Sequence, residues 1–285
     1  MDFDYIDKIE NTTLQHGKLC NRVYIMSIDS KNTSRILEIA ENLTKSHKYT
    51  KIIAKVPERS VKEFLANDYI VEAKVPDMYH GVETGYFMCK YFDQERMIDQ
   101  DQQLIEDILK DALVVSTKSA SAREKDDVNI RKVKKMKNKD VKEMTQLYSR
   151  VFETYPFPIT DKNYLVTTML ENMDYYGIRI EGKLVALASA VIDMENNFAE
   201  LTDFAVAKEY RQQGLARQLL ETIEDELKDK NILTYFTTAR AKSPAINKSF
   251  SNLGYTHAGT LVNNTNIAGS IESMNVWYKN VKQKF

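Results

Sequence analysis

Residues Ala199-Glu200-Leu201-Thr202-Asp203-Phe204-Ala205-Val206 run directly into Ala207-Lys208-Glu209-Tyr210-Arg211-Gln212-Gln213-Gly214-Leu215-Ala216-Arg217, and the reading of this passage decides the fold. The first part reads as a strand. The second ends in a helix, because Leu215, Leu219, Leu220, Ile223 and Leu227 fall on one apolar stripe. Gly214 stands where loop becomes helix. The first N–H groups of a helix have no partner inside it and point outward, so a small residue lets a phosphate approach them while neighbouring arginines add charge. The spacing from Gln212 to Ala216, flanked by Arg211 and Arg217, therefore builds an anion cradle. Taken alone, Arg-x-x-Gly-x-Ala equally fits an ordinary helix start with a capping glycine.

Working outward, strands are expected over 175–180, 184–192 and 199–206, the first two joined by a tight turn at Gly182-Lys183. Helices over 141–151 and 163–172 and a strand over 128–133 precede this meander. A strand over 233–238, a helix over 243–253 with Pro244 in its first turn, and strands over 255–262 and 273–278 follow it. In the first half, strands are expected over 21–27, 51–56, 70–74 and 85–91, with helices after the first two. From Asp93 the pattern turns helical and then polar, and 116–127 reads as a linker. The fold class is α+β, a mixed and mostly antiparallel sheet flanked by helices, divided into a smaller domain over 1–120 and a second over 128–285. Both halves contain strand, proline, helix, strand, loop, strand, with the helices ending Phe64-Leu65-Ala66-Asn67-Asp68-Tyr69 and Phe250-Ser251-Asn252-Leu253-Gly254-Tyr255. The first half is either a degenerate copy of part of the second or a chance likeness of two βαββ units.

Composition narrows the function. Hydrophobic residues at 43% and charged residues at 28% of 285 exclude a wholly disordered chain. Forty basic against 41 acidic side chains leave a net charge of -1, which selects no polyanionic partner. The basic stretch 131–139 has no interleaved aromatics and reads as solvated surface, not as a nucleic-acid patch. No apolar run approaches the ~18 residues of a membrane span, and the acidic start lacks a signal peptide's basic flank. Cys20 and Cys89 lack metal-ligand spacing and are too few for a disulfide framework. The expectation is a cytoplasmic protein with no metal, membrane or nucleic-acid partner, its oligomeric state open to a homodimer.

The passage from Ala199 to Ala216, with Asn247 and Phe250 beyond it, resembles the acetyl-CoA motif of the GNAT acetyltransferase superfamily. The resemblance implies a GNAT acyltransferase fold in the second half and acetyl-CoA as co-substrate. It implies that amides from about Gln212 to Ala216 hold the coenzyme's pyrophosphate, that the strand end Phe204-Ala205-Val206 pairs with pantetheine, and that Asn247 and Phe250 lie near the same arm. Gln212, where many members carry glycine, is a departure. Further blocks, among them Gln15-His16-Gly17, Ala54-Lys55-Val56-Pro57, Glu153-Thr154-Tyr155-Pro156-Phe157-Pro158-Ile159 and Asn263-Asn264-Thr265-Asn266-Ile267, look like the β-lysine N-acetyltransferase family over nearly the whole chain. That family makes Nε-acetyl-β-lysine, a compatible solute. Val191 and Val206 depart from its pattern, which leaves lysine, ornithine or a polyamine as alternative acceptors and a catalytically silent acyl-CoA-binding module as the contrasting class.

Amine acetylation makes one physical demand. A lysine-type ammonium with pKa near 10.4 must become a neutral nucleophile, which costs about 4 to 5 kcal/mol at pH 7. Glu200 matches the superfamily position often used as general base, and is otherwise a strand-end carboxylate. Asp203 is its rival, facing the other side of the strand unless a bulge intervenes, as the GNAT resemblance implies; its alternative role is to hold a substrate ammonium. Superfamily members often place an acidic Tyr where this chain has Phe250, so the expectation is that Tyr255, another tyrosine such as Tyr155, or solvent protonates the leaving thiolate, or that the thiolate departs with little help. Glu153, Tyr155, Arg240, Asn264, Glu272 and Asn275 are nominated for the acceptor, Arg240 for its carboxylate. The loop around Tyr155 is alternatively rigid packing, and Trp277 and Tyr278 an edge strand within the core.

Overall fold

The apolar alternations and stripes of the sequence resolve, in the computed structural model, into elements over residues 3–119 and 131–281, the residues the structure describes. The first half contains β1 (Tyr5–Ile9), β2 (Thr12–Gly17), β3 (Arg22–Ser27), α1 (Thr33–His47), β4 (Lys51–Pro57), α2 (Glu58–Leu65), β5 (Ile70–Tyr79), β6 (Glu83–Tyr91) and α3 (Gln102–Ser119). The second contains β7 (Val133–Lys135), α4 (Val141–Val151), α5 (Lys162–Glu171), β8 (Met173–Ile180), β9 (Lys183–Asp193), β10 (Phe198–Val206), α6 (Leu215–Asp229), β11 (Thr234–Arg240), α7 (Pro244–Asn252), β12 (Thr256–Ile267) and β13 (Ser270–Asn280). The β1–β2 hairpin was not expected, because β1 is an exposed edge strand of mixed polarity with no apolar alternation to mark it. Helix α3 runs into the expected linker as far as Ser119, while 120–127 and the first residues of the strand expected over 128–133 lie outside the described residues. The hairpin turn falls on Glu181-Gly182, both at positive φ, one residue earlier than expected.

The thirteen strands form one sheet in the order β1-β2-β3-β4-β6-β5-β12-β13-β11-β10-β9-β8-β7. Neighbours are antiparallel except β3 with β4 and β10 with β11. Strands β1 to β6 and strands β8 to β13 repeat one pairing order, with a helix at corresponding crossovers, and the two sets meet back to back. Trp277 is thus on an inner strand, flanked by β11 and β12 and fully buried, not on an edge. Each helix buries the stripe its sequence displays: α6 places Leu215, Leu219, Leu220, Ile223 and Leu227 on the sheet, each contributing about 1.5 to 3 kcal/mol of apolar burial.

The halves join where β5 meets β12, at Gly259 opposite Ala73. A Cβ on Gly259 would collide with the carbonyl oxygen of Glu72 and the backbone of Ala73, and its φ of +147° is one that L side chains rarely adopt. Beyond that contact the β12 register breaks between Leu261 and Thr265. The freed carbonyls are satisfied by first-half cations: Lys51 Nζ donates to Val262 (2.7 Å), Arg96 Nε to Asn263 (2.7 Å) and Arg22 Nη1 to Asn264 (2.6 Å). Helix α3 closes the joint from outside, its Ala112 carbonyl accepting from Ser251 Oγ on α7 at 2.8 Å. Gly259→Val should therefore destabilise the whole protein by about 2 kcal/mol or more, lowering its thermal midpoint by roughly 4 °C or more. An unchanged midpoint in thermal denaturation would show that the seam tolerates the side chain.

Candidate active site

Strands β10 and β11 lie parallel for only three residue pairs, Phe198 to Glu200 against Thr234 to Phe236, and then part. Their separation opens a wedge at the carboxyl ends of both. On its other side β10 keeps its pairing with β9 but slips register between Thr202 and Ala205, where Asp203 adopts a left-handed φ of 56°. The extra residue defeats strict alternation, so Glu200, Thr202 and Asp203 all line one cavity of about 1160 Å³. The conditional bulge of the sequence reading is present, and it brings the two rival carboxylates to one place.

At the wider end of the wedge the chain passes through Arg211 into α6. Gln212 takes a left-handed φ of 63°, a geometry suited to glycine that costs a glutamine roughly 1 to 2 kcal/mol, and Gly214 caps the helix at φ 70°. Gln218 makes the first intrahelical bond, to Gly214. The N–H groups from Gln212 to Arg217 thus have no hydrogen-bond partner among the described residues, and the first turn carries no acidic side chain. Arg211 and Arg217 flank them on the cavity wall. This is an anion-accepting helix start with no competing carboxylate.

The carboxylates sit in contrasting surroundings. Asp203 is 5% exposed and accepts hydrogen bonds from Tyr155 Oη, Ser189 Oγ (2.6 Å) and Thr202 Oγ1 (3.3 Å), with no cation bonded to it among the described residues. Burial pushes its carboxyl above the usual range, and the three hydroxyls oppose that rise. Burial also raises Glu200, while the Lys55 charge pulls it down, Asp203 pushes it up and the Thr238 hydroxyl lowers it. Lys55 reaches in from β4, its Nζ 4.9 Å from the Phe198 ring centroid and 5.2 Å from that of Phe236. Burial lowers its pKa, and the charges of Glu200 and Asp193 counter that effect.

Of the residues nominated from sequence, Glu200, Asp203, Glu153, Tyr155, Arg240, Asn264, Phe204, Val206, Arg211, Gln212, Gly214, Leu215, Ala216, Arg217 and Phe250 line this cavity. Ala205 is buried and Gln213 exposed, so each can contribute only backbone to the wedge. Five assignments need correction. Tyr255 is buried beneath α6, its ring edge-on to Phe250 and its hydroxyl near Glu224, so it faces away from the carboxylates and cannot serve as acid. Asn247 is fully buried and saturated: Nδ2 donates to the carbonyls of Arg240, Ala241 and Ser243, and Oδ1 accepts from Asn275 Nδ2 and Trp277 Nε1, both at 2.9 Å. It fastens α7 to the sheet with no polar atom left for a coenzyme. Asn275 is tied into the same knot and into Thr260. Glu272 grips Arg240 in a bidentate pair at 2.7 and 2.9 Å, which takes both from the roles expected of them at the acceptor.

Sequence reasoning assigned no role to Arg22, Tyr24 or Lys55, which form the cavity wall opposite β10. Lys55 stands in a quoted family block; the further signal was a charge inside an otherwise apolar strand, Ile52-Ile53-Ala54-Lys55-Val56. Val191 and Val206, the two departures, also line the cavity. The cysteines are buried, burial pushing the Cys20 thiol up to about 11 and raising Cys89 as well, so neither is an activated nucleophile.

Parted parallel strands, a bulge carrying an acidic residue and a partner-free helix start define a GNAT-type acyltransferase. The sequence pattern of the Acetyltransferase (GNAT) family matches residues 141–255. The β-lysine N(6)-acetyltransferase of Methanococcus maripaludis is 36% identical over 96% of this chain and 98% of its own. That of Methanosarcina mazei is 32% identical over 82% and 93%, and the N-acetyltransferase YodP of Bacillus subtilis 31% over 80% and 86%. The chain belongs to the β-lysine N(6)-acetyltransferase family of the GNAT superfamily.

The base role expected of Glu200 requires its deprotonated form, and burial raises its pKa. At saturating substrates, turnover should therefore fall as pH is lowered through a value above the ~4.3 of a free glutamate. Glu200→Gln should lower kcat by roughly 10²- to 10⁴-fold and remove that acid limb. A variant with an unaltered profile would take the base elsewhere.

Proposed function

We propose that this protein transfers an acetyl group from acetyl-CoA to the ε-amine of β-lysine, giving Nε-acetyl-β-lysine. The observation that carries the reading is the meeting, on one bulged strand, of a half-buried carboxylate and a hydroxyl-caged one beside the wedge between β10 and β11. A diamino acid needs two acidic contacts, one to unload the reacting ammonium and one to hold the other. Glu200 serves as base. Asp203, buried without a bonded cation, is the seat for the second ammonium, since a buried carboxylate is costly until paired.

When bound, acetyl-CoA supplies an activated acyl carbon and a thiolate leaving group. The amides from Gln212 to Arg217 hold its diphosphate, and the free edges of β10 and β11 take its amide-bearing arm as a sheet takes an extra strand. Presenting the neutral amine costs about 4 to 5 kcal/mol at pH 7, and Glu200 is the group that accepts the proton the amine gives up before its nitrogen attacks. Phe250 lines the cavity where a hydroxyl would donate a proton, and Tyr155 is engaged with Asp203. A thiol of pKa ~8.5 is a good enough leaving group to depart without a protein acid. Acetylation cancels one positive charge, leaving a zwitterion of zero net charge, which is the electrostatic character that suits an accumulated compatible solute.

The repeated pairing order supports the further reading that residues up to about 120 are a degenerate GNAT-like copy and those from about 128 the acetyltransferase proper. In the copy, the start of α1 meets carboxylates instead of an open cradle: Asn32 bonds Glu10 (2.8 Å), Lys31 N bonds Asp29 (3.0 Å) and Ser34 bonds Glu63. Those charges would repel a diphosphate. Mixing enzyme, acetyl-CoA and β-lysine should release CoA, measured with a thiol reagent. Asp203→Asn should raise the KM for β-lysine about tenfold or more while leaving the acetyl-CoA KM within about threefold. Turnover with polyamines but not β-lysine would replace the acceptor.

A further inference from the structure

One charge in the cavity is not used by the reaction as described so far. Strands β3 and β4 run parallel with Tyr24 opposite Ile53, and their alternating residues Arg22, Tyr24 and Met26, then Ile53, Lys55 and Pro57, form the wall facing β10. Every other cation on the cavity wall is engaged. Lys8 pairs with Glu171, Arg59 with Glu83, Arg217 with Glu221 and Arg240 with Glu272; Arg211 donates to the Val206 carbonyl, and Arg22 to Asn264, Thr265 and Gln15. Lys55 Nζ has no hydrogen-bond or ion-pair partner among the described residues and rests against the rings of Phe198 and Phe236.

Two further polar atoms of wall residues, Arg22 Nε and Asn264 Oδ1, are buried with no hydrogen-bond partner among the described residues. The free ammonium group of Lys55, on a cavity wall whose other cations are engaged, describes a site for a group that bears a negative charge. Ring faces alone do not replace the hydration that a half-buried ammonium gives up. Glu200, whose charge acts on Lys55 together with that of Asp193, forms no ion pair with it and is needed to take up a proton. The charges then tally. An acceptor with two ammonium groups and one carboxylate meets two carboxylates, Glu200 and Asp203, and one cation that lacks its partner.

We propose that Lys55, supplied by the first half of the chain, binds the carboxylate of the acceptor and makes the enzyme select amino acids over simple diamines. The assignment rests on the acetyltransferase reading above and deepens it. It gives the first half, which has lost its own anion cradle, a part in specificity, and it gives the quoted block Ala54-Lys55-Val56-Pro57 a role.

The test compares kcat/KM for β-lysine with that for 1,4-diaminopentane, the same diamine without its carboxylate, in the wild type and in K55M, K55Q and K55R. The wild type should prefer β-lysine. In K55M and K55Q the preference should fall about ten- to hundredfold through a higher β-lysine KM, while K55R, which can still pair with a carboxylate, should retain most of it. The glutamine variant guards against a methionine variant that misfolds, and calorimetric titration with CoA verifies an intact coenzyme site in each. A wild type that prefers β-lysine, with K55M and K55Q keeping the same preference, would overturn the assignment alone. A wild type that prefers the diamine, or turns over neither compound, would overturn the acceptor reading and the assignment with it.

Discussion

The parting of β10 from β11 after Glu200 and Phe236 is the constraint on which the rest of the molecule depends. A parallel ladder that stops after three pairs leaves two strand edges facing each other inside the protein, and buried backbone polar groups are expensive when unpaired. The bulge at Asp203 belongs to the same feature. It bends β10 away from β11 while letting Ala205 and Val206 rejoin β9, so the strand is held on one side and open on the other. Such a wedge calls for a guest that is itself an extended, amide-bearing chain. The partner-free amides at the start of α6 set where the charged end of that guest must lie.

Electrostatics in the cavity follow from burial and from the meeting of two halves. Asp203 is stabilised by hydroxyls, which lower the cost of its charge without neutralising it. Glu200 is stabilised by a distant cation, Lys55, which moderates its rise while leaving it free to accept a proton. The second half brings the acids and the coenzyme loop, and the first brings the cationic wall. The seam at Gly259 and Ala73 holds these surfaces in register, and the cations that satisfy β12 carbonyls fix its distance.

Much of this was legible in the sequence because it is written in local patterns. The strand, loop and helix around Gly214, the apolar stripe of α6 and the βαββ echo each carry their own periodicity. Glu200 and Asp203 could be named from their strand, although only the structure shows them sharing one cavity, since a bulge leaves no fixed signature. What failed was the assignment of direction. Asn247, Glu272 and Asn275 were nominated beside residues that do line the cavity, and a family likeness does not say whether a side chain faces the site or locks the scaffold behind it. Tyr255 was chosen for its hydroxyl, but its ring packs under α6. Lys55 was passed over for the opposite reason, because the rings it rests against come from the other half of the chain and no local pattern links residue 55 to residue 200. The β1–β2 hairpin went unread because an exposed edge strand needs no apolar alternation.

Hydrogen–deuterium exchange of the whole protein, with and without CoA, tests the central claim most directly. The account predicts that the coenzyme slows exchange in two segments, the β10 end over 202–206 and the helix start over 212–217, with the start of α1 over 31–36 unaffected. Protection of the α1 start with the 202–217 region unchanged would contradict it.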